Sequence, residues 1–503
     1  MRSVIPDSVH SGRLDEHFRS LDFAGIESVA LTECTRFRPA YAAVRVHQTR
    51  LRGLHLRDGQ MESATERRDL GVGVRVVVAG AWGFAATERL DLRSVGEAAR
   101  RACELALRCA RLPGPEVVLA DESPANGVHV SEYTIDPFAV PVDEMVAVLQ
   151  DNCALFARDV DHTSASLECV LESTYLADLA GTRIWQQRVR THPSYTAVMV
   201  TPSGFDDMSS TAPPAGRGWE YAGSNWSWAA ELSALPERLA EKTRAPGIEP
   251  GRYDLVLDPT NLWLTIHESV GHATEKDRAL GYEANYAGTS FATPDGLGHL
   301  QYGSALMNIR ADRTTGHGLS TVGWDDEGVA AQEWDIVRDG ILVGYQLDRQ
   351  MAGPGGRSNG CAYADSAEHV PIQRMPNVSL QPQPDGPDTE SLISGVEDGI
   401  YIVGDKSWSI DMQRYNFQFT GQRFYRIRNG QLAGQVRDVA YQANTLRFWG
   451  SLAGLGGPQT YLLGGALNCG KGQPGQVAPV SHGCPSAVFT GVNVLNTRAE
   501  ARA

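Results

Sequence analysis

The sequence predicts an α+β protein with an N-terminal α/β layer lobe and a large β-rich C-terminal lobe. Three observations carry this. Glycine makes up 52 of the 503 residues, which calls for many turns and bulges between strands. Helical periodicity recurs up to residue 245, but only one helix, around His267, follows it. Beyond that point apolar and polar residues alternate between hairpin signals, the pattern of short antiparallel strands.

Taken in order, residues 69–87 read as strand, turn and strand. Residues 89–112 follow as a helix whose buried face is Leu92, Val95, Ala99, Ala102, Cys103, Ala106 and Leu107. "RLPGPEV" at 111–117 then breaks the chain, so an N-terminal α/β domain is expected over 1–125. Residues 141–160 form a second helix, with Asp143 as its N-terminal signal and Glu144 in the first turn. Paired strands over 164–201 turn at "LAGT", 179–182. With a short helix ending before the Pro/Gly-rich linker 245–251, they make a central α+β domain over 126–245. Trp226 and Trp228 read as packing residues within it.

A β-rich domain is expected over 246–503. "RDG" at 338–340 and "RNG" at 428–430 mark hairpins, and 380–390 is a Pro-rich surface loop. Asp325, Asp326 and Glu327 read as an acidic β-turn rather than a second cation site.

The net charge of -15 argues against nucleic acid as a partner, because phosphate binding needs clustered Lys and Arg. No run is apolar and long enough to span a bilayer. The N-terminus has no apolar signal core, so a cytoplasmic protein is expected. Eight cysteines without C-x-x-C pairs are too sparse for a disulfide scaffold and read mostly as small buried hydrophobes. "GVGVRV" at 71–76 lacks the third glycine of a dinucleotide loop and continues as a strand, which excludes a nucleotide enzyme.

The chemistry concentrates in "LTIHESVGHATEKDR", residues 264–278. A zinc protease helix places its histidines four apart, H-E-x-x-H. Here His267 and His272 are five apart, with Glu268 after the first. In a regular α-helix four residues leave side chains about 40° apart, but five leave about 140°. The two imidazoles share one ion only if the helix is irregular between Glu268 and His272. One extra residue in a π-turn restores the shared face, and Gly271 is where the backbone can deform. A catalytic zinc has three protein ligands and an open position. Glu268 is better placed as the base than as a ligand. The third ligand must therefore come from elsewhere. The glycine-rich segment 464–489 holds Cys469, His482 and Cys484; His482 and Cys484 are close enough in sequence to form a second site instead.

These motifs resemble the TldD/PmbA metallopeptidases. The carrying stretches are "HESVGHATEKD" (267–277), "DDEG" opening 325–349, "RMPNVSLQP" (374–382) and "NCGKGQPGQVAPVSHGCPSAVF" (468–489). Residues 69–87 and the following helix are similar to the family's N-terminal block, so the resemblance spans nearly the whole chain. It implies Zn2+ held by His267, His272 and Cys469, with Glu268 as general base. It implies the active, metal-motif-containing kind rather than the motif-less PmbA-like kind. It also implies a two-lobed architecture and a dimer, either a homodimer or a heterodimer with a PmbA-like homologue, whose cavity admits only unfolded peptides. Cys484 stands where the family has a non-thiol residue, and residues 1–22 match none of its motifs.

The function expected is zinc-dependent hydrolysis of amide bonds in unfolded peptides or small proteins, in maturation of a peptide natural product or in protein breakdown. The alternative is an amide hydrolase acting on a small secondary metabolite with the same zinc site. A third reading, a binding subunit with structural zinc, conflicts with Glu268, since a structural site has no use for a base. A thiolate donates more charge than imidazole, so this zinc would be a weaker Lewis acid than one held by neutral ligands. The substrate is expected to lie extended against a strand edge.

Overall fold

The computed structural model describes residues 13–202 and 204–500; the first twelve residues, on which the reading of the N-terminus rests, lie outside them. The chain is α+β. Its first half is built on one seven-stranded sheet of β1 (Tyr41–Arg57), β2 (Gln60–Val78), β3 (Ala81–Thr87), β4 (Asn126–Val130), β5 (His162–Asp178), β6 (Arg183–Thr201) and β7 (Gly204–Ser209). The order is β3-β2-β1-β5-β6-β4, with β7 also pairing β6. Its strands come from both sides of residue 125.

The two faces of this sheet differ. Val44, Val46, Tyr175 and Ala177 face the helices Phe23–Thr35 and Leu92–Cys109, while Leu54, Leu167 and Ala165 face the helix Val142–Ala154. Period-2 alternation puts Arg45, His47, Glu172, Arg188 and Arg190 on the opposite face, where they are nonetheless buried. There they meet the second half of the chain. Arg45 bonds Asp326, Arg75 Nη1 bonds Glu327 Oε1 at 2.6 Å, and Arg190 Nε donates to Leu319 O at 3.1 Å.

The acidic turn at 325–328 is closed by the Gly328 N–H on Asp325 O, as expected of a β-turn, but it is not a surface feature. Asp325 accepts backbone N–H groups from Glu327, Val329 and Ala362. All three acids are buried, and Asp326 and Glu327 anchor the turn to Arg45 and Arg75 of the first half of the chain.

Two local expectations need correction. Leu92 and Leu107 are 41% and 40% exposed, and the buried stripe is Val95, Ala98, Ala99, Ala102, Cys103 and Ala106. The helix lies so close to β3 that a Cβ on Gly83 would sit 2.0 Å from Ala102 O, so only small residues fit beneath it. The second helix begins at Val142 with Pro141 as its N-cap; Asp143 sits inside the first turn, where its charge still complements the helix dipole.

The second half contains another seven-stranded sheet. Strands Asp398–Ile410, Gly251–Leu257, Ala487–Asn496, Val439–Asn444 and Asn416–Arg428 pair in that order, and the last also pairs with the first, closing a ring. Leu255, Leu257, Ile400, Ile402, Phe419, Tyr441 and Phe489 fill its core. The turns at Asp339-Gly340 and Asn429-Gly430 are the expected hairpins, each residue with positive φ. A separate two-stranded ribbon, Leu462–Lys471 with Gln476–Cys484, packs against the helix that leaves Leu257. Trp228 is buried against Tyr195 and Tyr221, as packing predicts. No helix among the described residues is long and apolar enough to cross a membrane.

Candidate metal centre

Asp258 caps the helix Pro259–Ile266 by accepting from Thr260 N–H, and Pro259 at the first position fixes its start. All eight residues of this helix are buried, so it is a central rather than a surface helix. Its continuation, His267–Gly271, is a turn of π-helix: the His272 N–H bonds His267 O, five residues back. This is the irregularity that the spacing of the histidines demands. Gly271 has no room for a side chain, since a Cβ there would lie 2.5 Å from Met375 Sδ. Met375 belongs to the "RMPN" stretch, so two of the motifs meet at this contact.

The π-turn brings the rings of His267 and His272 to 4.7 Å, centroid to centroid. Cys469 arrives from the ribbon, at a register shift between Ala466 and Cys469 that turns its thiol toward the helix. Arg374, also of the "RMPN" stretch, pins this bend by donating Nη2 to Cys469 O at 2.5 Å. The ligand atoms of His267, His272 and Cys469 lie within 4.8 Å of one another. The three side chains fit a metal by chemistry and by distance. Tetrahedral zinc with ordinary Zn–N and Zn–S lengths separates nitrogen from sulfur by about 3.6 Å; His272 Nε2 and Cys469 Sγ are 3.5 Å apart.

Each residue is almost wholly enclosed: His267 is 6% exposed, Glu268 5%, His272 4% and Cys469 5%. Burial raises the Cys469 thiol pKa, but the imidazoles of His272 and His267 outweigh it and hold the thiol well below its ordinary value. Burial likewise raises Glu268, and His267, His272 and Arg414 together bring its carboxyl below the usual range.

Four surrounding residues escaped the sequence reading. Glu275 Oε2 is 2.8 Å from His272 Nδ1, so the ring donates its Nδ1 proton there and turns Nε2 toward Cys469. Glu275 is itself held by Lys471 Nζ at 3.1 Å. Lys471 is the lysine of the "CGK" stretch, and it also reaches Asp277 at 2.8 Å. A carboxylate three residues beyond a candidate ligand histidine was the one legible signal here. Arg414 bonds the Glu268 carboxylate from a hairpin tip, with a positive φ of 63°. No local pattern marks it.

His482 and Cys484, the candidates for a second site, part company. His482 Nε2 lies 2.8 Å from His267 Nδ1. Cys484 faces Pro259 O at 3.6 Å and is pushed up by burial, as an inert core thiol is. His317 and His369 lie elsewhere, beside Gly216 and Asp365.

A cavity of about 300 Å³ opens beside the centre, lined by Thr260, Trp263, Asp405, Lys406, Gly464 and Gly465. Trp263 is the link, its ring 6.3 Å from that of His267. A second cavity of about 460 Å³ is bordered by Val477 and Pro479. These alternate with Ala478, Val480 and His482, so it lies on the face of the ribbon turned away from the candidate ligands.

The PmbA/TldA metallopeptidase C-terminal domain matches residues 250–496, and domain 1 of the same family matches 42–106. A Methanothermobacter thermautotrophicus metalloprotease is 27% identical over 458 residues, covering 89% of this chain and 94% of its own. A zinc metalloprotease TldD homolog of Saccharolobus solfataricus is 27% identical over 217 residues, covering 43% of this chain and 46% of its own. The crystal structure of TldE from Thermococcus kodakarensis shares the fold, with a TM-score of 0.70, 14% identity and coverage of 93% and 99%. The two domain models together span more than half of the chain, which belongs to the PmbA/TldD family of metallopeptidases.

Proposed function

We propose that this chain is a zinc metallopeptidase that cleaves amide bonds in unfolded peptides, with His267, His272 and Cys469 as ligands and Glu268 as general base. The observation that carries the reading is the convergence of three ligand atoms within 4.8 Å, with a carboxylate on the same π-turn. Zinc is favoured over other divalent ions by the His₂Cys donor set, and the Saccharolobus relative is named for it.

Bound there, zinc would polarise the scissile carbonyl and acidify the attacking water. Glu268 takes that water's proton on its carboxylate and hands it to the leaving amine nitrogen. Arg414 holds the carboxylate in place, and Glu275 keeps the His272 ring turned toward Cys469. The near-complete enclosure of these residues excludes bulk water and folded protein alike, so an extended chain is the fitting substrate. Among the described residues the strand Leu462–Lys471 pairs with Gln476–Cys484 alone, so its other edge carries no strand, and the cavity beside Gly464 borders it. A peptide backbone adding to that edge would reach the centre without side-chain specificity. Eight free cysteines accord with a reducing, cytoplasmic setting.

The test is a pair of variants on an unfolded protein substrate. Glu268→Gln keeps stoichiometric zinc and loses hydrolysis by ~10²–10⁴-fold, whereas Cys469→Ser loses the metal. Full activity in the first, or full zinc content in the second, removes that residue from its role. Running acyl-amine metabolites beside the peptide separates a peptidase from a small-molecule amide hydrolase. Native mass, alone and with a motif-less homologue, tests the dimer.

A further inference from the structure

The surroundings of His267 give His482 a task other than binding the metal. His482 is fully buried on the strand Gln476–Cys484, on the side facing the π-turn. Its two ring nitrogens have one partner each. Nδ1 lies 2.8 Å from Val378 O, and Nε2 lies 2.8 Å from His267 Nδ1. Its ring plane is within 11° of that of Trp263, which fixes the tilt.

These contacts decide where the protons sit. A carbonyl oxygen only accepts, so His482 Nδ1 carries the proton between itself and Val378. A neutral imidazole carries its proton on one nitrogen and accepts at the other, and the other here faces His267 Nδ1. Nε2 of His482 therefore presents a lone pair, and His267 Nδ1–H donates to it. The remaining nitrogen of His267, Nε2, is left as the lone-pair atom. The reverse arrangement, with His482 Nε2–H donating to His267 Nδ1, would put the proton of His267 on Nε2 and abolish it as a ligand. Val378 sits in the strand Asn377–Leu380, whose Asn377 and Ser379 are tied to Ser320 N and Gly483 N. The carbonyl that sets the sequence of protons is thus itself fixed.

We propose that His482 is the positioning residue of His267: a carbonyl–imidazole–imidazole relay that holds one ligand in its metal-binding tautomer, as Glu275 does for the other. This rests on the zinc reading above. The two ligands are then backed unequally, one by a neutral ring and one by a carboxylate. A ligand without its outer partner typically loses ~10–100-fold in metal affinity.

The experiment measures zinc affinity of the purified full chain by competition with a chromophoric chelator, beside the visible spectrum of the cobalt-substituted protein. His482→Phe removes the acceptor, and a ~10–100-fold loss of zinc affinity is expected together with altered cobalt bands. His482→Gln restores an acceptor at the position of Nε2 and should stay within a few-fold of wild type. His482→Met repeats the loss with a more adaptable side chain if the phenyl ring prevents folding. Thermal midpoints of the metal-free proteins show whether the fold is kept. Folded Phe and Met variants that bind zinc as tightly as wild type overturn the proposal, as does a Gln variant no better than Phe. A wild-type chain that binds no zinc overturns the reading of the centre itself, which keeps the two failures apart.

Discussion

Glu172 offers the sharpest test of how the two halves of the chain hold together. Its carboxylate takes Arg188 Nη2 at 2.5 Å and Arg190 Nη1 at 2.9 Å, with His47 Nε2 at 3.6 Å. No side chain in this group is more than 6% exposed. Burial alone would raise the carboxyl, but the two guanidiniums win and hold it at about 2, against an ordinary 4.5. At ~1.4 kcal/mol per unit, that depression contributes ~3 kcal/mol at neutral pH. Removing one member of a buried ion pair costs ~3–5 kcal/mol by direct measurement elsewhere, so the two routes agree.

Glu172→Gln should therefore lower the urea midpoint at pH 7.5 by several tenths of a molar, about 3 kcal/mol over a slope that for a chain of this size exceeds the ~1–3 kcal/mol/M of small proteins. The sign with pH is fixed. A depressed carboxyl stabilises fully above 4.5, and the contribution is lost as pH falls toward 2. The difference between wild type and variant should shrink through that window. His47 adds a second window. Burial lowers it to about 4 from 6.5, so the folded chain keeps it neutral and both proteins lose stability as pH falls from 6.5 to 4. Urea titrations followed by tryptophan fluorescence read both. Equal midpoints at pH 7.5, or a difference that persists unchanged down to pH 2.5, would refute the reasoning. The effect should also travel: Arg190 bonds Leu319 O, and Leu319 N bonds Ser481 Oγ, next to His482.

Gly271→Ala drives a methyl to 2.5 Å from Met375 Sδ inside the π-turn. A loss of ~1–3 kcal/mol is expected, with weakened zinc retention on dialysis; an unchanged melting temperature would show that Met375 yields freely. Glu275→Gln keeps an acceptor for His272 but removes the charge that Lys471 and Arg278 face. Zinc affinity should fall by up to ~10–100-fold by chelator competition, and wild-type affinity would show that only the hydrogen bond matters.

Much of this protein was legible before folding. The hairpins at Asp339-Gly340 and Asn429-Gly430, the helix over 92–109 and the long strands beside Leu179–Thr182 follow from periodicity and turn chemistry over a few residues. So did the π-turn: two histidines and a glutamate at that spacing are useless to a metal unless the helix is wound loosely. Where local reading failed, close packing overrode it. Leu92 and Leu107 lie on the apolar stripe by spacing, yet the nearness of Gly83 to Ala102 leaves room for alanines and not for leucines. The acidic turn at 325–327 looks like a surface loop until the arginines of a distant sheet are placed against it.

The sequence by itself determined the fold class, the motif set and the need for an irregular helix, because each rests on neighbours within one or two turns of chain. Only the tertiary structure decided which groups stand behind the candidate ligands. Cys469 reaches His272 across 197 residues, His482 reaches His267 across 215 and Arg414 reaches Glu268 across 146. Such contacts depend on the positions of single atoms, and those positions are fixed by strand register and packing far from the motif rather than by its spacing.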